Sequence, residues 1–274
     1  MEVNKPVVLI TGCSEGGIGY ALCEEFAPHA EVVYATARRL EAMTTFKHDN
    51  IRTLEMDVCI PKSIEAAVRE VIEKCGRLDI VVSNAGVGAF GPILDVSVDW
   101  ARAAFDTNYF GSHRLAQAVL PHMFQRKSGK FILVGSIGGL VPVPWNGTYA
   151  ASKAALHTLA DVLRHECTPF NVQVMTLLPG FVKSHIIDNM HGFNVSPTSV
   201  YQPWNEALQK RFSASQTNPS CMPTKQFAKI VVKELLRKEL KWFFYSGGYS
   251  TWMWFMTLWP RKWALQYFWR RNSK

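Results

Sequence analysis

The chain has 274 residues, 48% apolar and 19% charged, a balance that can fill one globular core and excludes a disordered chain. Its six cysteines (Cys13, Cys23, Cys59, Cys75, Cys167 and Cys221) form no CxxC pair and no metal-ligand spacing, which argues against a disulfide scaffold or zinc module and fits a reducing compartment. The net charge of +8 collects at the C-terminal end, where Lys241, Arg261, Lys262, Arg270, Arg271 and Lys274 follow Glu239, the last acidic residue, among six of the nine tryptophans. Tryptophan together with cations points to a membrane surface rather than nucleic acid, and no RNA-binding signature competes.

The chain enters on an apolar run, residues 6–10, without the basic region and cleavage site of a secretory signal. Residues 7–11 read as a first strand, 18–27 as a helix and 31–37 as a second strand. A strand at 52–56, a helix at 64–75, a strand at 80–83 and a long helix at 100–123 follow. Then come a strand at 130–135, a helix at 149–167 and a strand at 173–178. Residues 186–224, rich in Pro, Ser and Asn, read as a long irregular region, before a helix at 225–238 and a seventh strand at 241–245. Short apolar runs alternating with helical patterns imply βαβ units, hence an α/β fold with a doubly wound parallel (Rossmann) sheet of about seven strands. The expected organisation is one domain over 1–248 and an aromatic, basic tail over 249–274.

Between the first strand and first helix lies Thr11-Gly12-Cys13-Ser14-Glu15-Gly16-Gly17-Ile18-Gly19. Glycines there let the backbone turn tightly and approach a pyrophosphate at a helix N-terminus, although the cluster alone also describes a plain strand-to-helix turn. The second strand ends in Arg38-Arg39 with no acid to grip a ribose 2′-hydroxyl, which suits the 2′-phosphate of NADP; two solvated loop arginines are the plain alternative. Tyr149 and Lys153 stand at i and i+4, on one helix face, and an ammonium beside a phenol lowers a pKa that is ordinarily about 10. Most Tyr/Lys pairs at this spacing are surface contacts. Here Ser136 adds a hydroxyl at the C-terminal edge of a strand, where such sheets bind ligands, though it could equally be a turn serine. Asn108 lies inside the long helix, where Asn is a mediocre helix former, and a polar residue on the helix face explains it as well. Four histidines, His113, His122, His157 and His165, lie in helical patterns without a matched ligand set, so no metal is expected.

Together these motifs resemble the short-chain dehydrogenase/reductase family from about Val7 to Ser184, and through the strand near Phe243. Gly12, Gly17 and Gly19, with Ser14 and Ile18, match the family's TGxxxGIG turn with one residue inserted. Asp57-Val58 matches the pair that meets the adenine, and Ser83-Asn84-Ala85-Gly86 resembles the NNAG stretch. Pro179-Gly180-Phe181-Val182-Lys183-Ser184 resembles the loop that meets the nicotinamide carboxamide. The resemblance implies that Ser136 binds a substrate carbonyl, that Tyr149 passes it a proton, and that Lys153 tunes the tyrosine and holds the nicotinamide ribose. It implies that Asn108 orders a water. NADP(H) is the implied cofactor, with Arg38 and Arg39 on its 2′-phosphate, and the family often pairs as a homodimer through the helices holding Asn108 and Tyr149.

Residues 138–148 are similar to the branch holding estradiol 17β-dehydrogenases and acyldihydroxyacetone phosphate reductases. The inserted-glycine turn and residues 34–39 look closer to the NADPH-dependent 1-acyldihydroxyacetone phosphate reductases. The expected activity is therefore reduction of a carbonyl in a lipid-like substrate, with a steroid or retinoid dehydrogenase, or a non-catalytic NADP-binding sensor, as alternatives. A phosphate on the substrate requires a basic side chain near the carbonyl, for which Lys183 and His185 are candidates. Residues 249–271 are expected to form one interfacial or shallowly inserted helix, Trp252, Phe255, Met256, Trp259 and Trp263 recurring at helical spacing, which places the protein on the cytosolic face of the endoplasmic reticulum or a lipid droplet; the alternative is that these aromatics cover the substrate cleft or a dimer partner.

Overall fold

The computed structural model describes residues 5–184, 186 and 195–272. Seven strands, β1 (Val7–Thr11), β2 (Val32–Ala37), β3 (Ile51–Glu55), β4 (Ile80–Ser83), β5 (Gly129–Val134), β6 (Val172–Pro179) and β7 (Phe243–Ser246), form one sheet in the order β3-β2-β1-β4-β5-β6-β7. Every neighbouring pair is parallel. All seven expected strands are present, with ends at most two residues from those expected. β1 shows why they are legible: Val8 and Ile10 face one apolar layer and Val7 and Leu9 the other, so a strand covered on both sides carries no polar alternation.

The first layer is built by α1 (Ile18–Phe26) and α7 (Thr224–Leu235), which bury Leu22, Phe26, Phe227 and Val231. The second is built by α2 (Pro61–Cys75), α4 (Gly111–Arg126) and α5 (Gly147–Cys167), through Ile64, Val68, Leu115, Val119, Leu156 and Ala160. Pro at the first position of α2 and a left-handed Gly76 at its end set its limits.

Three segments depart from the expectation. The long helix expected at 100–123 is α3 (Val98–Phe105), a π turn (Asp106–Phe110) and α4 in continuous succession. Arg114 braces the π turn by an ion pair to Asp106 at 2.7 Å. The irregular region 186–224 contains α6 (Asn205–Thr217), which buries Leu208 and Phe212 against Trp145 and Val195. The C-terminal residues form two helices in place of one, α8 (Ser250–Thr257) and α9 (Arg261–Asn272), broken before Pro260. They do not stand apart from the domain: Met253, Met256, Ala264 and Phe268 pack on Ile137, Val141 and Val143, in the segment between β5 and α5. No helix among the described residues is long and apolar enough to cross a membrane.

The strand order runs outward from β1 to β3 on one side and from β4 to β7 on the other, so the chain reverses direction between β1 and β4. At such a switch point the loops leaving the two strands part and open a crevice.

Candidate active site

Thr11, at the end of β1, anchors the crevice. Its buried hydroxyl accepts hydrogen bonds from the Asn84 N–H at 2.9 Å and the Ala85 N–H at 2.8 Å, while the Asn84 amide donates to the carbonyls of Thr11 at 2.8 Å and Gly12 at 3.1 Å. Gly12 takes φ +71°, and a Cβ there would lie 2.8 Å from the Ala85 Cα, so both its conformation and its neighbour require glycine. The turn then enters α1 through Gly17, whose first-turn N–H groups receive no side-chain cap. These free donors face the crevice, a ready anion site.

A cavity of about 380 Å³ runs from this turn to the C-terminal helices. Gly12, Ser14, Gly17, Ile18, Arg38, Arg39, Asp57, Val58, Asn84, Ala85 and Gly86 line one end. Arg38 is exposed and pairs with no carboxylate among the described residues, whereas Arg39 stands 3.9 Å from Glu41. Asp57 accepts the Cys59 N–H at 2.9 Å, which fixes its carboxylate at the rim. Ser136, Tyr149, Lys153, Pro179, Gly180, Val182 and Ser184 line the middle. Gly19 and Asn108 lie behind the wall. A Cβ on Gly19 would meet the Gly12 carbonyl oxygen at 2.5 Å, so its part is to let α1 close against the turn.

The π turn aims Asn108 into the interior, where it is fully buried. Its Oδ1 accepts the Val87 N–H at 2.8 Å, and its Nδ2 donates to the Val87 carbonyl at 3.0 Å and to Ser152 Oγ at 3.0 Å. The side chain thus ties the loop after β4 to α5, one residue from Lys153. Lys153 Nζ donates to the Val134 carbonyl at 2.8 Å and stands 5.9 Å from the centroid of the Tyr149 ring. Tyr149 packs on Phe90 at 5.0 Å and lies beside Ser136, whose Oγ accepts the Gly138 N–H at 3.1 Å. The three side chains predicted to act together do meet.

Their electrostatics differ from the expectation. Burial raises the Tyr149 pKa above its ordinary value, only partly offset by Ser136, so the phenol keeps its proton instead of being pushed toward the anion. Burial also lowers Lys153 to about 8, because its ammonium has a carbonyl and no carboxylate beside it. His157, one turn beyond Lys153 on α5, accepts the Ser136 N–H on Nε2 at 3.2 Å and holds the serine loop. Burial first, then the Lys153 charge, bring it down to about 4, and it acts there as a neutral acceptor.

The far end of the cavity is apolar, walled by Phe90, Val143, Trp145, Phe212, Trp252, Met253 and Phe268. Trp145 Nε1 and Asn146 Oδ1 are buried there without protein partners. Lys183 is exposed and absent from the wall, and His185 lies outside the described residues. The basic groups at this end are instead Arg211 on α6 and Arg271 on α9. Neither is visible as a site residue in the sequence, where α6 reads as loop and α9 as part of a surface helix.

The sequence pattern of the short chain dehydrogenase family matches residues 6–192. The chain belongs to that family. It is 35% identical over 240 residues to the short-chain dehydrogenase PC-15 of Penicillium crustosum, covering 86% of this chain and 87% of that one. Over 271 residues it is 32% identical to an NADPH-dependent 1-acyldihydroxyacetone phosphate reductase of Saccharomyces cerevisiae, 96% of this chain and 89% of that one. A short-chain dehydrogenase from Streptomyces avermitilis superposes with a TM-score of 0.82 at 26% identity, over 94% of both chains.

The buried imidazole makes a pH prediction. Its folded pKa lies below the unfolded value, so the fold binds fewer protons than the unfolded chain between pH 6.5 and about 4, and stability falls as pH drops through that window. The loss approaches roughly 3 kcal/mol below pH 4. Urea midpoints measured from pH 7 to 4 are expected to fall less steeply in His157→Gln, which retains an acceptor for Ser136 and cannot ionise.

Proposed function

We propose that this enzyme uses NADPH to reduce the ketone of a lipid-like substrate, and that 1-acyldihydroxyacetone phosphate is that substrate. The carrying observation is the meeting of Ser136, Tyr149 and Lys153 in the middle of one cavity, with a glycine turn at one end and apolar walls at the other. The cofactor end fits NADP(H) on its donor set: N–H groups without a side-chain cap at the α1 N-terminus suit a pyrophosphate, and the Arg38 guanidinium, without a carboxylate partner among the described residues, suits a 2′-phosphate. When bound, NADPH supplies the hydride that goes to the carbonyl carbon.

The chain's own residues position the ketone and supply the proton. Ser136 Oγ, fixed by the Gly138 N–H and by His157 behind it, directs its hydroxyl proton at the carbonyl oxygen. Tyr149 gives its proton to that oxygen as the carbon is reduced, leaving a secondary alcohol. A raised pKa is what this direction needs, because the phenol is fully protonated at neutral pH. Lys153 stands beside it to stabilise the phenolate that forms and to hold the nicotinamide ribose. Asn108 fixes the distance between α5 and the loop after β4, which keeps Lys153 and Gly86 in place.

The substrate assignment draws on the apolar far wall and on the likeness to the yeast reductase. A lipid substrate agrees with the outer face of α8 and α9, which exposes Trp254, Phe255, Leu258, Trp259, Trp263 and Trp269 beside Arg261, Lys262 and Arg270. Large aromatics flanked by cations suit the headgroup zone of a bilayer, and the proposal places this face on the cytosolic surface of the endoplasmic reticulum or a lipid droplet.

Tyr149→Phe is expected to lower turnover of 1-acyldihydroxyacetone phosphate by at least about a hundredfold while the dissociation constant for NADPH stays within about twofold. Near-normal turnover in that variant excludes Tyr149 as the proton donor. Arg38→Asp is expected to shift the NADPH/NADH ratio of kcat/KM toward NADH by about a hundredfold, since it replaces an attraction to phosphate with a repulsion. An unchanged ratio moves phosphate recognition away from this side chain. For the membrane face, the full chain is expected to float with anionic phospholipid vesicles, and a variant with Trp254, Phe255, Trp259 and Trp263 changed to Ser to remain in the dense fraction. A wild-type chain that does not float overturns that assignment.

A further inference from the structure

We propose that Arg211 and Arg271 form an anion subsite at the far end of the cavity, which receives the phosphate monoester of the ketone substrate; this rests on the lipid-ketone reading and specifies its headgroup. The two residues come from helices distant in sequence, α6 and α9, and meet across an aromatic pair. The rings of Phe181 and Tyr249 stand edge to face at 5.4 Å, with the Arg211 guanidinium 5.9 Å from the first centroid and that of Arg271 5.7 Å from the second.

Among the described residues nothing at this end neutralises them. Among the described residues neither arginine has a carboxylate partner, and the two acids on the cavity wall, Glu15 and Asp57, belong to the cofactor end. Arg211 has no hydrogen-bond acceptor among the described residues, and Arg271 donates one N–H to the Tyr267 hydroxyl at 3.3 Å and lies by the Tyr249 ring. Burial and the Arg271 charge push Arg211 down to about 10. Arg211, set into the wall, and Arg271, exposed at its rim, repel one another and are relieved by a dianion, and their planar donor forks match phosphate oxygens. A neutral steroid or retinoid offers no such relief.

The geometry also fits the ketone's shape. Phe181 lies two residues beyond Pro179, in the loop that borders the catalytic side chains, so the subsite adjoins the carbonyl position through that loop. The acyl chain then follows the apolar wall of Trp252, Met253 and Phe268.

The test uses the full chain with NADPH and two ketones sharing one acyl chain, 1-acyldihydroxyacetone phosphate and the same molecule without its phosphate. The wild type is expected to prefer the phosphorylated ketone in kcat/KM. Arg211→Gln and Arg271→Gln are each expected to reduce that preference about tenfold or more, through KM, with Arg211→Lys recovering part of it. Inorganic phosphate is expected to compete with the phosphorylated ketone and not with NADPH. An unchanged preference in both glutamine variants overturns the subsite. So does weakened NADPH binding with the preference intact, which assigns the arginines to the cofactor's phosphates. If the wild type reduces neither ketone, the lipid-ketone reading fails by itself. The subsite is then decided by titrating NADP⁺-loaded enzyme with inorganic phosphate and following tryptophan fluorescence: a saturable change abolished in both glutamine variants supports it, and no saturable change overturns it.

Discussion

The Thr11 hydroxyl is the point on which the cofactor end depends. It takes two backbone N–H groups from the loop after β4, and the Asn84 amide returns two bonds to the backbone after β1, so both sides of the switch point are locked to each other. Without that lock the loops leaving β1 and β4 would have buried polar groups to satisfy and no fixed separation. With it, Gly12 can close to within contact of Ala85 and α1 can begin with its amides facing the crevice. Asn84 thereby braces the cofactor end as well as lining the cavity there.

A second brace repeats the principle one strand further on. Asn108 spends its whole amide on Val87 and Ser152, and His157 spends its acceptor on Ser136. Both are buried polar groups tied to protein partners, an arrangement that rigidifies a core. They free Ser136, Tyr149 and Lys153 to point into the cavity with few protein partners of their own. The consequence is electrostatic. Lys153 is buried against a carbonyl and Tyr149 against Phe90, so each is held toward its neutral form. A tyrosine in that state is a proton donor at rest, and the ammonium matters once negative charge develops on the phenol.

The sheet was legible because burial on both faces removes polar alternation, and the catalytic spacing was legible because Tyr149 and Lys153 share one helix. What escaped depends on contacts between distant segments. In α6 the buried positions among the described residues, Leu208 and Phe212, are four apart amid Ser, Gln, Asn and Lys, too sparse a stripe to separate helix from loop. The π turn leaves no mark on hydrophobic period. The direction of the tyrosine pKa could not be read from spacing either: i and i+4 bring Lys153 near, but burial depth decides the sign. Lys183 and Arg211 show the same limit. Proximity in sequence favoured the lysine beside the Pro179-Gly180 loop, whereas packing of α6 put the arginine on the wall.

The C-terminal helices join these themes. Their inner side supplies Trp252, Met253, Phe268 and Arg271 to the cavity, and their outer side carries the exposed tryptophans. An α-helix with its side chains is about 10–12 Å across, so the two surfaces are separated by a single layer. The outer face and the substrate wall thus belong to the same two short helices, α8 and α9, which meet at the break before Pro260. The two sides therefore cannot be tested by deleting the helices, since removal after Gly248 takes away one cavity wall together with the outer face. Substitutions confined to the exposed aromatics leave Met253, Met256, Ala264 and Phe268 packed on the loop before α5, and so separate surface binding from the shape of the substrate site.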